Sequence, residues 1–268
     1  MKKLILSLVV FSSYCVGHTK DKWYENELLW IKGHHYKTGT YSKDKDKIAE
    51  EITKKLAQFA KFKPKGKILD LACGEGFHTA YLSKLGYNVV GLDISPFNIS
   101  LAKENVKKLG QQAVFKQQDM REFEDNNFYD AVVNFGYSFG YLKTQTENMK
   151  VLKNIYKSLK KGGKFFIELY GKEMIDRVYP KTLIRQNGEE TLLRIATIDN
   201  NYERFKSYFY FINKDKVKVC EQEVYLYSAK ELTDMLKHVG FKIIGVYGNY
   251  DQGPYDHNSE NLMVLAEK

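Results

Sequence analysis

The chain has 268 residues, 43% hydrophobic and 28% charged, a composition that excludes a disordered, collagen-like or coiled-coil protein. That length suits one large domain or two small ones, with core enough to fold without disulfides or a structural metal. The 42 Lys+Arg against 33 Asp+Glu give +9, but the excess is lysine spread along the whole chain, which reads as a solvated surface and argues against a nucleic-acid partner. The 3 cysteines (Cys15, Cys73, Cys220) are too few and too far apart for a disulfide framework, and no Cys-x-x-Cys pair suggests a metal.

Residues 1–17 read as a secretory signal: Lys2-Lys3, an apolar stretch from Leu4 to Phe11, then small residues toward Gly17. The stretch is too short for a transmembrane span. It implies export, whereas the site further along the chain implies a cytoplasmic protein. A helix is predicted from Lys43 to Phe62, with Ile48, Ile52, Leu56 and Phe59 at helical spacing. His34-His35 read as a solvated turn, since two adjacent histidines without other ligands make no metal site. Strands follow at Lys67–Leu71, Asn88–Asp93, Ala113–Lys116, Tyr129–Phe135 and Lys164–Leu169, alternating with helices. Ser95 caps one helix with Pro96 at its first position, and Gly162-Gly163 stop the helix that begins at Thr146. This alternation predicts an α/β fold, a parallel sheet wrapped on both faces. Residues 180–227 break the pattern with Tyr, Phe, Val and Ile around a turn at Asn213-Lys214-Asp215, which predicts an antiparallel insertion. A capping box at Ser228 to Glu231 opens a helix to Gly240, and strands at Phe241–Tyr247 and Asn261–Glu267 close the chain.

The loop Asp70-Leu71-Ala72-Cys73-Gly74-Glu75-Gly76 stands between the first of these strands and its helix, where open parallel sheets bind ligands. Gly74 and Gly76 let backbone amides approach a ligand without a Cβ in the way. Asp70 would repel a pyrophosphate but suits an ammonium group. Asp93 ends the next strand about 20 residues on, where an acid accepts ribose hydroxyls. Asp119-Met120 follows the third strand, where a carboxylate can accept an adenine amino hydrogen and Met120 can cover the ring. Three strand-end carboxylates describe a ligand with an amine, a ribose and a base but no phosphate. A nicotinamide dehydrogenase has no use for Asp70 or Asp119, and Thr79 stands where its third glycine or alanine belongs.

This constellation resembles the class I S-adenosylmethionine-dependent methyltransferases, in particular bacterial small-molecule members. Ile68 to Thr79 is similar to their first motif, Val89 to Ser95 to the second, and Asp119-Met120 with Tyr129 to Phe135 to the next two. Ala72 replaces the usual first glycine. The resemblance spans roughly Trp23 to Lys268 and implies a doubly wound, seven-stranded, mostly parallel sheet of Rossmann-like type. Its last strand would be inserted antiparallel, and 18–268 would form one domain, with 18–62 as an N-terminal cover.

From this resemblance, S-adenosyl-L-methionine would be the cofactor. Asp70 would face its ammonium, and Ala72, Cys73, Gly74 and Gly76 its methionine and ribose. Asp93 would hold the ribose hydroxyls with Ile94 against the adenine, Asp119 and Met120 would take the base, and Asn134 and Phe135 would close the pocket. Methyl transfer asks only that the acceptor be held in line with the methyl carbon, ~3 Å away, with water excluded. No fixed catalytic residue is therefore expected. Acceptor-side candidates are Tyr36, Tyr41, Tyr137, Ser138, Tyr141, Glu168 and Tyr170. The partner expected is a small-molecule methyl acceptor; tRNA or protein methylation and a non-catalytic cofactor-binding module are the alternatives. The aromatic insertion serves either as a substrate lid or as a homodimer contact.

Overall fold

The structure, a computed structural model, describes residues 13–14, 20–36, 45–179, 181–199 and 201–268. Apart from Ser13 and Tyr14, the signal-like residues 1–17 lie outside the described residues, as does Tyr41. The chain opens with β1 (Ser13–Tyr14), a 3-10 helix at Lys20–Glu25, α1 (Glu27–Tyr36) and α2 (Lys45–Ala60). His34 and His35 belong to α1, so the solvated turn expected there is a helix instead. The α/β alternation then runs β2 (Lys67–Leu71), α3 (Phe77–Lys84), β3 (Asn88–Asp93), α4 (Pro96–Lys108), β4 (Val114–Gln117), β5 (Tyr129–Asn134), α5 (Gln145–Ser158) and β6 (Leu159–Leu169). After the short α6 (Ile175–Val178) come β7 (Thr182–Asn187), β8 (Glu190–Ile198), β9 (Arg204–Asn213) and β10 (Lys216–Tyr225). The chain closes with α7 (Ala229–Val239), β11 (Lys242–Tyr247) and β12 (Leu262–Glu267).

Seven strands form one sheet in the order β11-β12-β6-β5-β2-β3-β4. The β6, β5, β2, β3 and β4 neighbours are parallel, and β12 is antiparallel to both β6 and β11. This is the doubly wound sheet with a final antiparallel strand that the sequence predicts. Successive residues of its strands enter opposite cores, as the two-residue period of a strand requires. Leu69, Val90, Val132, Phe165 and Val264 pack on one face with Leu152 and Ile155 of α5 and Leu232 and Leu236 of α7. Ile68, Val89, Ala131, Phe166 and Met263 pack on the other with Leu56 of α2 and Leu82 of α3. Burial on both faces explains why these strands read as continuous apolar runs rather than alternating ones.

One boundary differs from expectation. The helix α5 ends at Ser158, before the two glycines, and Leu159 is already extended. Gly162 and Gly163 lie inside β6, where the pairing with β5 slips between Tyr129 and Ala131. The left-handed φ of Gly162 (+76°) serves this irregularity rather than a helix stop.

A second sheet, in the order β1-β10-β9-β8-β7, is the antiparallel insertion, with β1 added parallel to β10. Burial along β9 alternates: Phe205, Ser207, Phe209 and Phe211 point inward and their neighbours are only partly buried. Trp23 and Tyr24 bury themselves where this sheet meets the domain, and Trp23 donates its indole N–H to the Glu223 carbonyl of β10 at 2.8 Å.

Candidate active site

A cavity of about 500 Å³ lies at the carboxyl ends of the parallel strands. Its floor is the loop after β2, with Asp70, Ala72, Cys73, Gly74 and Gly76. Phe135, Tyr137, Ser138 and Tyr141 enter after β5, and Leu169 and Tyr170 after β6. Leu29 and Trp30 of α1 form one flank, and the inward face of the second sheet forms the roof.

The floor loop is shaped by left-handed backbone at Ala72 (φ +58°), Gly74 (+52°) and Gly76 (+75°). At Gly74 a Cβ would enter open space, so the ligand side of the loop is clear there. At Gly76 a Cβ would press on Ala102 Cβ at 2.7 Å, so this glycine is required by the approach of α4. Asp70 is 1% exposed, and its Oδ2 accepts from Thr79 Oγ1 at 2.6 Å. Burial drives the Asp70 carboxyl up to about 7, against the pull of the Thr79 hydrogen bonds, with a smaller upward push from Asp93. A carboxyl poised in this way gains from a cation placed beside it.

Asp93 stands behind the loop rather than in the cavity wall. Its Oδ2 accepts from the Gly74 N–H and its Oδ1 from the Ser95 N–H, both at 2.9 Å. Burial raises its pKa, and these backbone donors hold the shift down. Asp119 also lies outside the wall, where it is clamped by Arg121 through Nε and Nη2 at 2.6–3.1 Å. Arg121 in turn donates to Glu147 at 2.5 Å. Ile94 and Met120 pack against the main core, and Asn134 donates to the Leu71 carbonyl at 2.7 Å. The structure thus brings Asp70, Ala72, Cys73, Gly74, Gly76 and Phe135 to the cavity, with Asp93 one hydrogen bond behind it. Cys73 is buried, and burial pushes its thiol well up, as for a packing residue rather than a nucleophile.

On the acceptor side, Tyr137, Ser138, Tyr141 and Tyr170 all line the cavity. The Tyr137 ring stacks on Tyr170 at 3.7 Å, and its hydroxyl donates to Asn261 Oδ1 at 2.6 Å. Tyr141 packs on Trp23, ring centroids 4.5 Å apart. Glu168 is buried behind the wall; its Oε2 accepts from the Gly136 N–H at 3.1 Å, and burial raises its carboxyl to about 6. Tyr36 is the last residue of α1, and its side chain lies outside the described residues.

Residues 62–224 match the family described as methyltransferase domain. The chain belongs to this methyltransferase family. A protein of Bacillus subtilis (strain 168) named YqeM, provisionally described as a methyltransferase, is 29% identical over 210 residues, covering 76% of this chain and 85% of its own. The glycine/sarcosine N-methyltransferase of Halorhodospira halochloris is 28% identical over 212 residues, 75% of each chain. The crystal structure of an S-adenosylmethionine-dependent methyltransferase from Clostridium acetobutylicum ATCC 824 superposes with a TM-score of 0.73 at 19% identity, over 90% of this chain and 98% of that one.

Three wall residues of this methyltransferase escape a reading of the sequence. His78, one residue into α3, stacks on Phe135 at 3.9 Å and shares a 2.8 Å hydrogen bond with Thr53; burial pushes it down to about 3, so it is neutral. Arg194 of β8 and Tyr179 reach the cavity from the roof. A histidine one residue into a helix carries no local mark of burial. Arg194 does carry one: it alternates with Leu192 and Ala196 on the buried face of its strand.

Proposed function

We propose that this methyltransferase moves the methyl group of S-adenosyl-L-methionine to a small-molecule acceptor in the cavity under the second sheet. One observation carries the reading: Asp70, the open loop at Gly74 and the tyrosines after β5 and β6 converge on one cavity that the chain roofs itself. A roof of the protein's own strands leaves room for a small acceptor rather than for a folded macromolecule.

The residues present fit the cofactor. The Asp70 carboxylate would face its ammonium, and the Ala72-to-Gly76 loop would line its methionine and ribose. Asp93 would take ribose hydroxyls while fixing the Gly74 amide, and the base would extend past the cavity wall toward Asp119 and Met120, with Asp119 held in place by Arg121. When bound, the cofactor supplies an electrophilic methyl on a sulfonium, a good leaving group. The chain's task is orientation and exclusion of water. Tyr137, Tyr141 and Tyr170 would orient the acceptor, with the Tyr137 hydroxyl fixed by Asn261 and its ring by Tyr170. The protein would work in the cytoplasm, where its cofactor is made; among the described residues no helix is long and apolar enough to cross a membrane. The inward aromatic face of the insertion packs over its own cavity, which favours a lid over a homodimer contact.

Titration of the protein with S-adenosylmethionine, S-adenosylhomocysteine and NADH tests the proposal. Saturable binding of the first two alone is expected, followed by S-adenosylhomocysteine release on adding small amines, hydroxyls or carboxylates as acceptors. Binding of NADH alone, or no binding by folded protein, would refute it.

A further inference from the structure

The wall above the floor is built from rings that hold one another. The Tyr137 and Tyr170 rings stack with centroids 3.7 Å apart and planes 11° from parallel. Tyr179 meets Tyr170 edge-on at 5.4 Å and 78°, and Phe205 of β9 meets Tyr179 at 4.5 Å and 81°. Each of these residues lines the cavity, so one aromatic array runs from the ends of β5 and β6 up to the roof. Stacked and edge-on contacts are the geometries that a ring's quadrupole favours. An array that alternates them offers both faces and edges to a further ring.

The hydroxyls of this wall are engaged within the protein. Tyr137 donates to Asn261 Oδ1 at 2.6 Å, Tyr141 is hydrogen-bonded to Ser138, and Tyr179 accepts from Arg194 Nη1 at 2.6 Å. What these tyrosines offer a ligand is therefore chiefly ring surface, and Tyr137, Tyr141, Tyr170 and Tyr179 are each only partly buried. A small hydrophilic acceptor would exchange its water for carbon, which is costly. An apolar ring gains from the same transfer. A cationic amine can also lie on aromatic faces. Here, however, Arg185 and Arg194 line the same cavity, and the Arg194 guanidinium lies 4.2 Å from the Tyr179 ring centroid. Two fixed positive charges beside the array repel a further cation, which leaves an uncharged ring favoured.

Resting on the proposed function, we infer that the methyl acceptor is an uncharged aromatic molecule, held by its ring against Tyr137, Tyr170 and Tyr179, with its nucleophilic oxygen or nitrogen carried on that ring. The flat body then fixes the plane of the acceptor, and the substituent points down toward the loop after β2. The ring-bound O–H or N–H takes the methyl group, loses its proton to solvent and leaves S-adenosylhomocysteine behind. Because the rings of the array already brace one another, little side-chain freedom is lost when the acceptor binds, and its orientation is set in advance.

The test is calorimetric titration of the protein loaded with S-adenosylhomocysteine, using 2-naphthol, its saturated counterpart decahydro-2-naphthol, glycine and glucosamine as separate probes. The two alcohols share a carbon skeleton, and the saturated one has at least as much apolar surface, so burial alone would not favour 2-naphthol. The wild type is expected to bind 2-naphthol at one saturable site, about threefold or more tighter than the saturated alcohol, and to bind glycine and glucosamine more weakly than either. Tyr170→Leu keeps apolar bulk but removes a ring, and should weaken 2-naphthol by about two- to tenfold. Tyr170→Phe keeps the ring and should restore the affinity, which a role for the hydroxyl would not allow. The wild-type comparison stands by itself should the leucine variant fail to fold. Equal binding of the two alcohols, no binding of either, or tighter binding of glycine or glucosamine would overturn the inference, as would a folded Tyr170→Leu that binds 2-naphthol as tightly as the wild type. Failure of the proposed function is read separately, as absence of S-adenosylhomocysteine binding by the wild type. The probe series is then run on cofactor-free protein, where the same outcomes decide.

Discussion

Replacing Asp70 by asparagine should make the free protein more stable and a worse binder. The carboxyl is buried, and burial lifts it from 3.8 to about 7. A folded-state value above the unfolded one means that the folded protein holds this proton longer. The resulting penalty is absent below about pH 4, grows as the pH rises, and is complete above about pH 7. At about 1.4 kcal/mol per pH unit between the two values, it reaches on the order of 4 kcal/mol at pH 8. Asparagine keeps an oxygen for Thr79 Oγ1 but has an amide to satisfy, so the net gain should be about 1–3 kcal/mol. The assay is urea unfolding of wild type and Asp70→Asn at pH 5 and pH 8. The difference between the two proteins cancels every other titrating group, and it should shift in the variant's favour by about 2–3 kcal/mol from pH 5 to pH 8. S-adenosylhomocysteine titration in parallel should show at least about a tenfold loss, the worth of a charge-assisted contact. For the wild type, affinity should rise from pH 6 to pH 8 as Asp70 ionises. An advantage that does not change with pH, or a variant equally destabilised at both values, would refute the account of Asp70 as a strained anion awaiting a cation.

Asp93→Ala removes the acceptor of both the Gly74 and Ser95 amides. Calorimetry should show S-adenosylhomocysteine affinity lower by about 1–3 kcal/mol; unchanged affinity would refute its role beneath the loop. Gly74→Val places a side chain in the open space of the floor at a left-handed φ of +52°. Cofactor binding should be lost, while circular dichroism shows a folded domain destabilised by about 1–2 kcal/mol from the backbone conformation; normal binding would move the site elsewhere. Gly91→Ala, on β3, would press a Cβ to 2.7 Å from the Phe115 ring and 3.0 Å from Cys73 Sγ. It should cost about 1–3 kcal/mol in denaturant unfolding, as overpacking does, and a neutral result would show that β4 yields freely.

What the sequence makes legible here is whatever short-range chemistry or doubly buried strands write into it. The strands β2, β3 and β5 are continuous apolar runs because both faces are covered, and the residue that ends such a strand lies on the ligand side by topology. That is how Asp70 can be placed without coordinates. The capping box at Ser228 reads equally well, since both partners lie within four residues. The same motif at Thr144 and Glu147 opens α5. By contrast, Gly162-Gly163 are ambiguous by nature: two glycines stop a helix or relax a strand equally well, and the pairing of β6 with β5, distant in sequence, decides. Asp119 shows a further limit. Its clamp on Arg121 is local, but the Glu147 that completes the cluster comes from α5, so its electrostatic setting belongs to the fold. Arg194 stands between these cases. The period of β8 puts it on the same face as Leu192 and Ala196, and two-residue alternation alone marks it as a charge at an inward position. Which chamber that face encloses depends on β7 to β10 folding over the ends of β2, β5 and β6. A charge out of pattern in an otherwise regular strand is thus readable before the fold is known. That this charge lines the cavity above the loop after β2 emerges only when the roof is set against the floor.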